Sequence, residues 1–119
     1  MARNLFINDK GLKNLGELVR NHRCDLEIRL EDLRTKIVEK TGYKECSVST
    51  LSKFEVGHMR FNSDLVAAIS AVMPIPHPFE DRAFTEWEIL EIARENLDPK
   101  TGISPSQLDL IKNSILDKK

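Results

Sequence analysis

Cys46-Ser47-Val48-Ser49-Thr50-Leu51-Ser52-Lys53-Phe54-Glu55-Val56-Gly57 is the stretch around which the rest of the chain is organised. Ser47 is a good helix N-cap, because its hydroxyl can accept a hydrogen bond from an otherwise unpaired N–H of the first turn. Behind it Val48, Leu51 and Phe54 recur every three residues, and Gly57 is the natural stop. The outward side of this helix, expected over 47–56, carries Ser49, Thr50 and Lys53, which are donors of modest size. A short helix that is apolar behind and small-polar in front suits insertion into a DNA major groove. It also suits an ordinary surface helix, which by pattern alone is the commoner case.

Working outward, Leu30, Leu33, Ile37 and Thr41 form a helical stripe closed by Gly42, which predicts a helix over 30–41. Further upstream, Leu12, Leu15, Leu18, Val19 and His22 share one face and predict a helix over 11–24, with Asn8-Asp9 able to cap it. Arg20 and Arg23 lie off that face, and residues 1–11 read as an arm. Downstream, Ser63 is a candidate cap for a helix whose apolar residues, Leu65, Val66, Ala68, Ile69, Val72 and Met73, cover more than one side. Such a helix belongs in the middle of a bundle.

Pro74, Pro76 and Pro78 end that helix, because proline cannot continue one and disfavours helix before it. The segment 74–84 is therefore expected to be a stiff linker; a proline-rich ligand for some partner is the lesser alternative. Thr85-Glu86-Trp87-Glu88 then spells a capping box with Phe84 and Ile89 as its hydrophobic staple, and predicts a helix over 86–97. Ser104-Pro105-Ser106-Gln107 repeats the device and predicts a last helix over 105–117. Their apolar faces suit an antiparallel hairpin over 85–119. It is too short to stand alone, and so would dock on the front bundle or dimerise.

Composition narrows the classes further. At 119 residues, with 40% hydrophobic and 31% charged residues, the chain fits one soluble globular domain, alone or with a short appendage. No apolar run reaches the roughly 18 residues of a membrane span, and the N-terminus lacks a signal-peptide core. Cys24 and Cys46 lack metal spacing and read as reduced thiols, which points to a cytoplasmic location. The net charge of −1 argues against a nonspecific nucleic-acid coat. Residues 1–60 hold 12 Lys/Arg against 9 Asp/Glu, and residues 61–119 hold 6 against 10. A mildly basic front half is compatible with phosphate contacts. Chance asymmetry between two solvated surfaces explains it equally well.

The region from Leu15 to Met73 resembles the lambda-repressor-like (Cro/XRE-type) helix-turn-helix family. Leu15-Gly16-Glu17-Leu18-Val19-Arg20 with Arg23 stands at the first helix, and Ile28-Arg29-Leu30-Glu31-Asp32-Leu33 at the start of the second. Ser47 to Gly57, with its Ser-Thr centre and Glu-x-Gly ending, matches the recognition helix, and Asn62-Ser63 with Leu65, Ile69 and Val72 the helix after it. The chain departs from the family in a longer stretch between Leu33 and Ser47. It also has Leu30 and Arg34 where Gln and Ala are usual, and Val48 in place of a longer polar base-reader.

The resemblance implies an all-α fold, a five-helix lambda-repressor-like helix-turn-helix domain (1–73 before the linker) followed by the C-terminal helical hairpin. It implies a prokaryotic transcription regulator that binds double-stranded DNA as a homodimer. Ser47, Val48, Ser49, Thr50 and Lys53 would face bases or nearby phosphates, and His58 and Arg60 the backbone. Valine can touch a thymine methyl but forms no hydrogen bond, so modest specificity follows.

A second class is a regulatory adaptor on the same frame, binding a nucleotide signal or a protein partner. Arg20, Arg23, Arg29 and Arg34 are the candidate phosphate or nucleotide contacts, since guanidinium forks bind phosphate bidentately. An enzyme is not expected: there is no glycine-rich phosphate loop, no zinc spacing and no EF-hand loop. His22 and Cys24 are near neighbours in sequence, and His22 belongs to the apolar face. No catalytic residue, metal site or cofactor is assigned. Glu86, Glu88, Glu91 and Glu95 read as a solvated helix face, and Trp87 as a packing residue at a helix junction or dimer seam.

Overall fold

The computed structural model describes residues 3–103, and within them the chain is all-α, with five helices and no strand. The helix expected over 105–117, with its capping box at Ser104-Gln107 and the hairpin it would complete, lies outside the described residues. The five helices are α1 (Asp9–Asp25), α2 (Leu30–Thr41), α3 (Val48–Glu55), α4 (Ser63–Val72) and α5 (Glu86–Ala93). α1 packs on both α3 and α5, while α2 packs on α3 and α4.

Helix starts follow local side-chain chemistry. The Asn8 carboxamide oxygen accepts from Gly11 N at 2.8 Å, so α1 begins at Asp9, two residues before the expected start at 11. Ser47 caps α3 by accepting from Thr50 N at 3.0 Å. For α4 the cap is Asn62 rather than Ser63. Its oxygen accepts from both Asp64 N and Leu65 N, and Ser63 becomes the first helical residue. The Thr85 capping box is complete, with Glu88 N donating to Thr85 Oγ1 at 3.1 Å and Thr85 N to Glu88 Oε1 at 3.0 Å.

One core joins all five helices. Leu15 and Val19 of α1 meet Leu33 and Ile37 of α2, Leu51 and Phe54 of α3, Leu65 and Ile69 of α4, and Ile89 and Ile92 of α5. Full burial of each such side chain stabilises the fold by about 1.5–3 kcal/mol before ordering costs are subtracted. The segment 74–84, expected as a linker, contributes to this core through Ile75 and Phe84. Phe84 N donates to Ile75 O and His77 N to Arg82 O, so the chain folds back on itself in a short loop. Proline stops the helix, but the residues between the prolines still alternate, and Ile75 and His77 point inward while Pro74, Pro76 and Pro78 stay exposed.

α5 ends at Ala93, four residues short of expectation. Glu95 takes a positive φ of 61° and Asn96 N bonds back to Glu91 O, which turns the chain away before Pro99 can. The same residues tie down the N-terminal arm. Asn4 N donates to the Asn96 side-chain oxygen while Asn96 Nδ2 donates to Asn4 O, and Asn8 N donates to Ala93 O. α5 therefore docks on the front bundle through its own chain.

Two of the α5 carboxylates expected on a solvated face are buried. Glu88 is held by the Arg82 guanidinium and by the capping box. Glu91 receives Arg3 in a two-pronged contact, together with Arg94 and Asn96. Trp87, read as a packing residue, is 59% exposed, with the Arg3 guanidinium 5.6 Å above its ring.

The hydrogen bonds from Arg82 hold the Glu88 carboxyl down at about 2, from an ordinary value of 4.5. Burial works against ionisation of Glu91, but its bonds from Arg3, Asn96 and Arg94 prevail and keep it below the usual range. A carboxyl with a depressed folded pKa contributes stability that is complete above its unfolded value and is lost as pH falls through the folded value. The melting temperature is therefore expected to fall progressively between about pH 4.5 and pH 2. Glu88→Gln should flatten that part of the profile in a calorimetric pH series; an unaltered profile would remove Glu88 from the account.

Candidate nucleic-acid interface

α3 is held by its inner side and its ends. Leu51 and Phe54 are buried in the core, and Ser47 closes the N-terminus. At the other end Gly57 turns the chain with a φ of 76°, and His58 N donates to Lys53 O at 2.9 Å. Gly16 of α1 lies directly against this end. A Cβ there would stand 2.5 Å from the Glu55 carbonyl oxygen.

Glu55 fixes the helix from within. Its two carboxylate oxygens accept from Arg23 Nε at 2.7 Å and Nη2 at 2.9 Å, while Arg23 Nη1 donates to Ile28 O at 2.8 Å. The two side chains are 13% and 5% exposed. One ion pair thus joins the end of α1, the turn before α2 and the last turn of α3. Arg23 was expected among the phosphate contacts; it is instead turned inward with its guanidinium occupied. Glu55, which the sequence presented only as part of the Glu-x-Gly ending, is the residue that occupies it.

The outward side of α3 presents Ser49, Ser52 and Lys53 as exposed side chains. Val48 and Thr50 are half-buried, and the Thr50 hydroxyl lies 3.0 Å from the Ser47 hydroxyl. Those two hydroxyls therefore serve the cap, which leaves Ser49, Ser52 and Lys53 as the free polar groups of the ridge. His58 and Arg60 are exposed on the turn that follows. Between α2 and α3 the chain uses residues 42–47, opened by Gly42 in a left-handed cap with a φ of 73°. The stretch from Leu33 to Ser47 is thus divided between the 12-residue α2 and this turn.

Of the remaining arginines, Arg20 and Arg34 are exposed, and Arg29 stands at the α2 N-terminus with Asp32 at 3.4 Å. These three are spread over α1 and α2, and only Arg23 is drawn into the α3 contact. Cys46 is buried in the core, where desolvation pushes its thiol up, and Cys24 is exposed. Among the described residues no three His, Cys, Asp or Glu converge on a metal-sized site. No described helix is long and apolar enough to cross a membrane.

Comparison with protein-family models, curated proteins and solved structures finds no match to this chain.

Proposed function

We propose that the chain is a sequence-specific DNA-binding transcriptional regulator that inserts α3 into the major groove and acts as a dimer. The observation that carries this reading is the division of α3 into two sides. Leu51, Phe54 and Glu55 anchor it, while Ser49, Ser52 and Lys53 stand exposed with the His58–Arg60 turn beside them. A helix fixed by its back and small in front can approach base edges without rearranging its own protein.

Serine hydroxyls and one lysine supply few bidentate base contacts, so much of the affinity would come from phosphates. Arg60 and Lys53 are the first of these. Dimerisation would place two copies of α3 on half-sites about one helical turn apart. The C-terminal segment is the proposed dimer or docking element.

The test is a mobility-shift assay on the DNA upstream of the protein's own coding sequence, at two salt concentrations. Lys53→Glu combined with Arg60→Glu is expected to weaken binding on the order of 100-fold or more, because two phosphate attractions become repulsions. Circular dichroism should show unchanged helix content, since both side chains are exposed. Unchanged DNA affinity in the double variant would transfer the reading to the adaptor, whose ligand is a nucleotide or a protein.

A further inference from the structure

Beside the α3 ridge lies a cleft of about 570 Å³ between the first turns of α1 and the turn after α3. Lys13, His58 and Arg60 line it, Leu12 and Met59 supply apolar wall, and Asp9 is the one carboxylate. Lys13 is more than forty residues from His58 and Arg60 in sequence. It is brought to them by Gly57, at which a Cβ would lie 2.8 Å from the Lys13 backbone nitrogen and Cα. Any larger residue would push α1 away from the turn.

Several cations of the fold are held in ion pairs. Arg3, Lys10, Arg23, Arg29, Arg82 and Arg94 each sit within 4.0 Å of a carboxylate. Among the described residues, Lys13, Lys53 and Arg60 have no such partner, nor do Arg20, Arg34, Lys36, Lys40, Lys44 and Lys100; of these, Lys13 and Arg60 line the cleft together. The cleft also adjoins the end of α3, because His58, which lines it, donates its N–H to Lys53 O. A groove-bound α3 would carry the cleft to the flank of the site, where the sugar-phosphate strand runs.

We propose that this cleft, formed where Gly57 lets α1 pack against the 57–60 turn, seats a backbone phosphodiester of duplex DNA, with Lys13 joining Arg60 as its cations and His58 beside them. The inference rests on the DNA-binding reading above and extends it to a residue of α1. A phosphate contact supplies affinity and register without reading sequence. Asp9 opposes the bound anion, so its charge sets an upper limit on that affinity.

The experiment measures anisotropy of a labelled mixed-sequence duplex across a salt series with the full chain. Lys13→Met is expected to reduce the slope of log affinity against log salt by about 0.9, the value of one released counterion per phosphate. Asp9→Asn should tighten binding, and Lys100→Met, on the 98–102 turn and outside the lining of this cleft, should leave the slope unchanged. If the wild type binds with a salt-dependent slope that Lys13→Met does not alter, the cleft proposal is overturned and the DNA-binding reading stands. If the wild type fails to bind the duplex at any salt, both are overturned. Inorganic phosphate alone, titrated against the amide resonances of residues 57–60, gives the remaining arm. Saturation by submillimolar phosphate together with an unaltered duplex slope would assign the cleft to a free anion and overturn the DNA source.

Discussion

Gly16→Ala is expected to lower the unfolding free energy by about 2–3 kcal/mol, the reverse of what the same change does on an open helix face. In an exposed helix interior, alanine gains roughly 1 kcal/mol over glycine through reduced backbone entropy in the unfolded chain. At position 16 the added methyl would stand 2.5 Å from the Glu55 carbonyl oxygen and 2.7 Å from its carbon. Both atoms are backbone, so no side-chain rotation relieves the clash, and α1 and α3 must separate. Packed interiors transmit such a shift because they contain few voids to absorb it. Urea denaturation followed by circular dichroism measures the change. A neutral or stabilising result would mean that the two helices do not approach as described.

Glu55→Ala is expected to destabilise by about 3 kcal/mol, because it leaves the Arg23 guanidinium nearly buried and without its counter-charge. The pair spans the end of α1 and the last turn of α3, so the loss also frees the helix proposed to read DNA. Arg23→Met combined with Glu55→Leu should recover much of the stability, since replacing both members of a buried pair by apolar groups of similar volume is often close to neutral. A double-mutant cycle in denaturant then isolates the pairwise coupling. If Glu55→Ala costs under about 0.5 kcal/mol, the pair behaves as a surface contact and α3 is held by Leu51 and Phe54 alone.

Most of the helix starts were legible in the residues themselves. Asn8, Ser47 and Thr85 cap as their side chains suggest, because a cap is satisfied by an N–H two or three residues away. The apolar stripes of α1, α2 and α3 were likewise readable, since periodicity states which side must leave water. Ser63 misled by one position because its neighbour Asn62 offers an oxygen that reaches two amides at once. The proline-rich segment misled more. Proline reports that a helix stops, and says nothing of whether Ile75 and Phe84 afterwards find a core.

The candidate site divides in the same way. Ser49 and Lys53 could be placed on an outward ridge from spacing alone, whereas the fate of Arg23 could not. A guanidinium is the same group whether it faces phosphate or a buried carboxylate, and its partner Glu55 is 32 residues away. Lys13 gave no signal at all, since only the close approach of α1 to Gly57 makes it a neighbour of Arg60.

What the chain determines by itself is therefore the local order: where each helix begins, which side of it is apolar, and where glycine or proline ends it. These depend on contacts within a turn or two, and the residue types suffice. The tertiary structure alone decided which charges are used internally, as in Arg23 with Glu55 and Arg3 with Glu91 across 88 residues, and which remain outside. It also decided that Ile75, read as part of a linker, joins the core. The physical reason is that electrostatic and packing partners are selected by proximity in space, which a linear pattern of residues does not encode.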